Sequence, residues 1–124
     1  MEETARESCR HQARATGNVV LAETPEPTPD SDEALIRVKA FSLNRGEIRR
    51  AATQTAGTPI GWDVVGIVEA PARNGSGPAK GTRVVGFSRR MQGWAERIAL
   101  PTTDIAAIPT RCRTPMPRPC RSRA

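Results

Sequence analysis

The stretch Gly61-Trp62-Asp63-Val64-Val65-Gly66-Ile67-Val68-Glu69, with Gly81-Thr82-Arg83-Val84-Val85-Gly86-Phe87 after it, decides the fold. Two short β-branched runs, each broken by glycine, are joined by the turn-rich residues 70–80. Such runs form strands, and the glycines mark bends or close backbone approaches. Upstream, residues 33–41 (EALIRVKAF) alternate, with Ala34, Ile36, Val38 and Ala40 on one face and Arg37 and Lys39 on the other. That period of two predicts a strand of an antiparallel sheet with one wetted face. Residues 42–52 change period, and Asn44 with Glu47 three residues later is the spacing of a capped helix start.

Residues 54–61 read as a loop. Strands are predicted over 62–69, 82–87 and 94–100, with a weaker one over 103–108 and a short one over 18–22. Pro25, Pro27 and Pro29 make 23–32 an extended connector. Short strands at this spacing imply a barrel or sandwich rather than βαβ units. The expected fold is therefore mainly β, a partial barrel of short, mostly antiparallel strands with one short helix. Residues 1–17 lack periodicity and are expected to form a poorly ordered leader, 18–109 the domain, and 110–124 a disordered Arg/Pro-rich tail.

Composition narrows the function classes. The formal net charge is +6, but Arg111, Arg113, Arg118, Arg121 and Arg123 supply five of those charges, so residues 1–109 carry only +1. A broad basic face for nucleic acid is not indicated. Cys9, Cys112 and Cys120 are an odd set outside the patterned region, with neither a disulfide framework nor zinc-site spacing. The start is acidic with no apolar run behind it, and the longest apolar run, about five residues, is far short of the ~20 that cross a bilayer. A cytoplasmic protein without membrane or nucleic-acid partners is expected.

Phe41-Ser42-Leu43-Asn44-Arg45-Gly46-Glu47, the Gly61–Val68 run quoted above, Gly81-Thr82-Arg83-Val84, Gly93-Trp94-Ala95-Glu96 and the exit from Leu100-Pro101 to Ile108-Pro109 together resemble the quinone-reductase-like branch of the medium-chain dehydrogenases/reductases. The resemblance implies a GroES-like catalytic domain that normally works beside a Rossmann domain holding NADP(H) or NAD(H). It also implies a small carbonyl or quinone-type substrate, and it is compatible with a homo-oligomer. The chain is expected to carry the first domain only, to hold the cofactor weakly and to be inactive alone.

The same resemblance tests zinc. Zinc-dependent members place a cysteine where Asn44 stands and a His-Glu pair where Trp62-Asp63 stands. An amide and an indole do not replace a thiolate and an imidazole. The sole histidine, His11, lies in the leader. No metal is expected. In zinc-independent relatives the nicotinamide lies near the position of Asn44, which makes Asn44 and Arg45 candidate cofactor-binding residues and Trp62 and Asp63 candidate pocket residues. Read from spacing alone, Asn44 caps a helix, Arg45 is solvated, Asp63 caps a turn and Trp62 is core. Both sets of readings stand at this point. The glycine-rich residues 75–81 lack the strand–turn–helix context of a dinucleotide fingerprint and read as a hairpin loop.

Two other functions compete. One is a small β-rich interaction module without catalysis, using apolar surface that a lost partner domain would leave open. The other is nucleic-acid binding through phosphate contacts of the arginine tail, Arg111–Arg123, which has no interleaved aromatics to support it.

Overall fold

The computed structural model describes residues 8–13, 19–55 and 57–109. Its main sheet has five antiparallel strands. β5 (Asp63–Ala70) runs between β3 (Glu33–Phe41) and β6 (Arg83–Phe87), with β7 (Arg97–Pro101) outside β3 and β8 (Ile105–Ala107) outside β6. A smaller sheet places β1 (Ser8–Ala13) between β2 (Val19–Thr24) and the two-residue β4 (Thr58–Pro59). One helix, α1 (Arg45–Thr53), lies between β3 and β4 in the chain. The fold is mainly β, as the alternating runs predict.

Alternation builds the core. Val64, Gly66 and Val68 are buried while Val65, Ile67 and Glu69 are half-buried. Ile36, Val64, Val68, Val84, Ile98 and Leu100 meet from four strands. Full burial of each aliphatic side chain contributes roughly 1.5–3 kcal/mol. A second cluster joins Ala51 of α1 to Ile60 and Trp94, and Phe41 packs against both clusters. At nine residues α1 is too short to persist in isolation, so this contact holds it in place.

The structure departs from the sequence reading at several places. The loop expected over 54–61 contains β4. The weak strand expected over 103–108 opens in the 3-10 turn Thr102–Asp104 and is a strand only over Ile105–Ala107. Residues 8–13, within the stretch expected to form a poorly ordered leader, pair with β2 from Ser8↔Thr24 to Ala13↔Val19 and also with β4. Backbone pairing to two neighbours holds this strand, so the lack of apolar periodicity there says nothing about order. Ala40 is exposed, and Phe41 packs on the core instead. A register shift between Val38 and Ala40 causes this, since one extra residue moves every later side chain to the opposite face. The strand expected over 94–100 begins only at Arg97, because Trp94 turns into the second cluster. The expected tail, residues 110–124, lies outside the described residues, as do 1–7.

Arg97 ties the connector to the sheet. Its Nε donates to Glu69 Oε2 at 2.8 Å and its Nη1 to Glu26 Oε1 at 3.1 Å. The bond to Glu69, ahead of the nearby carboxylate charges, raises the Arg97 pKa, so the cation persists through any practical pH. The side chain is largely buried. Arg97→Gln is expected to cost about 1–2 kcal/mol, between the worth of exposed and buried pairs. A lowered urea midpoint checks it, and an unchanged one refutes it. Among the described residues no helix is long and apolar enough to cross a membrane.

Candidate functional site

Two segments converge where β3 ends and β5 begins. After Phe41 the chain passes through Ser42, Leu43 and Asn44 into α1, and Gly61-Trp62 returns it to β5 at Asp63. Asn44 is the N-cap in extended conformation, and its carbonyl accepts the N–H groups of Glu47 and Ile48. Glu47 answers from inside the helix, its Oε2 accepting the Asn44 backbone N–H at 3.0 Å.

The Asn44 side chain does more than cap. Its Nδ2 donates to Ser42 Oγ at 2.9 Å, to Asp63 Oδ2 at 3.1 Å and more distantly to Glu47 Oε1 at 3.4 Å. Ser42 Oγ in turn donates to Asp63 Oδ2 at 2.9 Å. A primary amide has two N–H donors, so facing three acceptors both are engaged within the chain. Its side-chain oxygen faces the Glu47 N–H in the capping box, so what Asn44 has left to offer is the second lone pair of that oxygen.

Glu47 joins the two segments. Its side chain is fully buried, and its Oε1 accepts the Trp62 N–H at 3.0 Å. A buried carboxylate is tolerated where several N–H groups point at it, and here two backbone groups and an amide do so. The Trp62 ring lies against Gly46, where an added Cβ would stand 2.6 Å from ring carbon Cη2. Trp94 closes the back of the site, stacked on Phe41 with centroids 5.3 Å apart. Its indole Nε1 donates to the Ser42 carbonyl at 3.2 Å.

Beside this network opens a groove of about 230 Å³. Ala40, Phe41, Val64, Val65 and Val85 form its apolar walls, and Ser42 and Asp63 supply its polar groups. An apolar concavity with a few convergent polar groups is the usual form of a small-molecule site. Leu43 and Ile48 around the start of α1 and Val85 and Phe87 on β6 are exposed apolar side chains.

The structure thus brings Asn44, Trp62 and Asp63 together and leaves Arg45 one residue away, exposed and without a carboxylate partner among the described residues. Asp63 accepts from Ser42 and Asn44, partners 21 and 19 residues away, rather than from a local turn. Trp62 packs on the helix and is not part of the groove wall. Ser42 was missed as a site residue, although it stands two positions before Asn44 in the quoted run. Among the described residues no three His, Cys, Asp or Glu side chains gather as a metal set.

Residues 30–110 match the sequence model of the alcohol dehydrogenase GroES-like domain. Glucose 1-dehydrogenase 2 of Haloterrigena turkmenica is 38% identical over 87 residues, covering 64% of this chain and 24% of that protein. The quinone oxidoreductase of Coxiella burnetii superposes with a TM-score of 0.77 at 19% identity, covering 87% of this chain and 39% of that one. A mycobacterial protein solved with NADPH gives 0.72 at 22% identity, covering 85% and 35%. At such identities the two structures establish the fold alone. The chain spans about a quarter of the dehydrogenase and well under half of either solved structure. By its motifs, its strand order and the match over most of its length, the chain belongs to the alcohol dehydrogenase GroES-like domain family, the catalytic-domain module of medium-chain dehydrogenases and reductases.

Proposed function

We propose that this domain supplies the substrate-side wall of a zinc-independent, NAD(P)H-dependent oxidoreductase acting on quinone- or enone-type carbonyl compounds. The observation that carries the reading is the Ser42–Asn44–Asp63 network at the edge of an apolar groove. The apolar walls suit a flat, weakly polar ring, and Ser42 and Asp63 stand where its polar substituents need partners. A bound nicotinamide cofactor supplies the hydride, while the protein supplies position and electrostatics.

Asp63 holds the Ser42 hydroxyl and the Asn44 amide in one orientation. Asn44 then presents its carbonyl oxygen toward a carboxamide N–H, and Arg45 offers an exposed cation for a phosphate. Trp62 fixes the start of α1 from the side. Residues 71–82 join two antiparallel strands, the wrong setting for a pyrophosphate-cradling turn. The 124-residue chain by itself is therefore expected to bind the cofactor weakly and to show no turnover.

Titrating the isotopically labelled chain with reduced nicotinamide mononucleotide tests this. Amide shifts at Ser42, Asn44, Asp63 and Val85 are expected. They should weaken at least tenfold in Ser42→Ala/Asp63→Asn and be unaffected by added zinc. No shifts at these residues, or zinc-dependent shifts there, would overturn the reading. The exposed Leu43, Ile48, Val85 and Phe87 favour a second reading, an interaction module without catalysis. Self-association in the absence of any nicotinamide response selects it.

A further inference from the structure

A second concavity, of about 200 Å³, lies between the C-terminal end of α1 and the turn that follows β6. Arg50, Thr58 and Ile60 line one side, and Arg89, Arg90 and Met91 the other. Three arginines therefore border one small pocket, and no acidic residue lines it. Arg89 is pinned by Asp104, which accepts from its Nε at 3.0 Å and from its Nη2 at 3.1 Å. Arg50 and Arg90 have no carboxylate partner among the described residues. With Arg89 neutralised by Asp104, the pocket keeps two uncompensated positive charges.

The turn that carries Arg89 and Arg90 is firmly built. Ser88 is fully buried, and its N–H donates to the Trp62 carbonyl at 2.6 Å. Its own carbonyl accepts the Met91 N–H at 3.1 Å and its Oγ the Gln92 N–H at 3.0 Å. Met91 is held at φ +57°, a conformation disfavoured for a bulky side chain. Such backbone strain persists where surrounding bonds over-determine it, and it is frequent at ligand clamps. Here the strained residue and the two arginines before it face one pocket.

We propose that this pocket binds a small anion, a carboxylate or phosphate carried on a short apolar body, with Arg50 and Arg90 as its charge partners. Guanidinium groups match either head group bidentately, and Ile60 and Met91 offer apolar contact. The carbonyl end of α1 carries a partial negative charge that opposes an anion, so binding in the millimolar range is expected. The inference is independent of the hydride-transfer reading, because none of these side chains belongs to the Ser42–Asn44–Asp63 network.

The test titrates the full labelled chain with inorganic phosphate and, separately, with acetate, at an ionic strength held constant with sodium chloride. One or both anions should give saturable amide shifts concentrated at Arg50, Thr58, Arg90 and Met91, and the anion that saturates identifies the head group. Arg50→Gln/Arg90→Gln should weaken that binding at least tenfold while leaving Tm unchanged, since both side chains are exposed. Shifts that do not saturate, that spread over all surface arginines, or that survive in the double variant would overturn the site.

Discussion

Gly61→Ala is expected to melt about 10–45 °C below the parent, or to fail to fold at normal temperatures. Gly61 has φ +102°, a region L-residues rarely enter, and strain of this kind costs about 1–3 kcal/mol. The added Cβ would also stand 2.2 Å from Trp94 Cδ1 and 2.7 Å from the Trp94 backbone nitrogen. Neither atom has room to retreat. The indole is stacked on Phe41 and bonded to the Ser42 carbonyl, and the Trp94 N–H donates to Ile60 at 3.0 Å. Overpacking adds about 1–3 kcal/mol, for a total of about 2–6 kcal/mol against a typical stability of about 5–15 kcal/mol. At about 4–8 °C per kcal/mol for a small domain, the shift follows. Gly75→Ala is the control, because Gly75 has φ +79° but open space around its missing Cβ. It should cost about 1–2 kcal/mol, the backbone penalty alone. Circular-dichroism melts of the two variants side by side decide the matter, and equal shifts would refute the steric account.

The strands were legible wherever one face is buried and the other wet. The predicted strand over 33–41 is observed with the same bounds, and β5 and β6 begin one residue after their predicted starts. In these stretches the alternating pattern and the β-branched residues report the same thing as the packing. What stayed hidden is what a pattern of period two cannot encode. The register shift near Ala40 breaks the alternation without changing residue type. β1 is placed by pairing with β2 and β4, a non-local event that leaves no mark in local hydropathy.

The site was legible in part for the same reason. Asn44 and Glu47 show their relation as a three-residue spacing, and the Glu47-to-Asn44 bond is there. Ser42 and Asp63 meet only because β3 and β5 are neighbours, with Phe41 opposite Val64 in the register. From spacing, Asp63 reads as a turn cap; folded, it is the acceptor that gathers Ser42 and Asn44. Trp62 reads as core or pocket, and its half-buried ring lies against Gly46. Local sequence names the participants, while sheet register decides which of them touch.

Glu47 gives the second large effect, and it tests whether that convergence is held by one side chain. Glu47→Ala would remove the acceptor for two backbone N–H groups, those of Asn44 and Trp62, and leave a void at a fully buried position. Each orphaned donor costs about 1–3 kcal/mol, and the cavity adds to that, so a loss of about 3–5 kcal/mol is expected. Glu47→Gln keeps the volume and one oxygen, but it turns an amide N–H toward a backbone N–H. Its expected cost is about 1–3 kcal/mol. Urea midpoints should therefore fall in the order parent, Gln, Ala. A loss below about 1 kcal/mol for Ala, within the range of an ordinary surface change, would show that the two segments are held by other contacts. The Gln variant carries the functional half of the test, because it should stay folded. If Glu47 sets where the helix start and the strand start meet, its amide replacement should shift the Ser42, Asn44 and Asp63 signals while leaving the core strands unmoved. Signals unchanged at those three residues would mean that the groove's polar edge is positioned by the sheet alone.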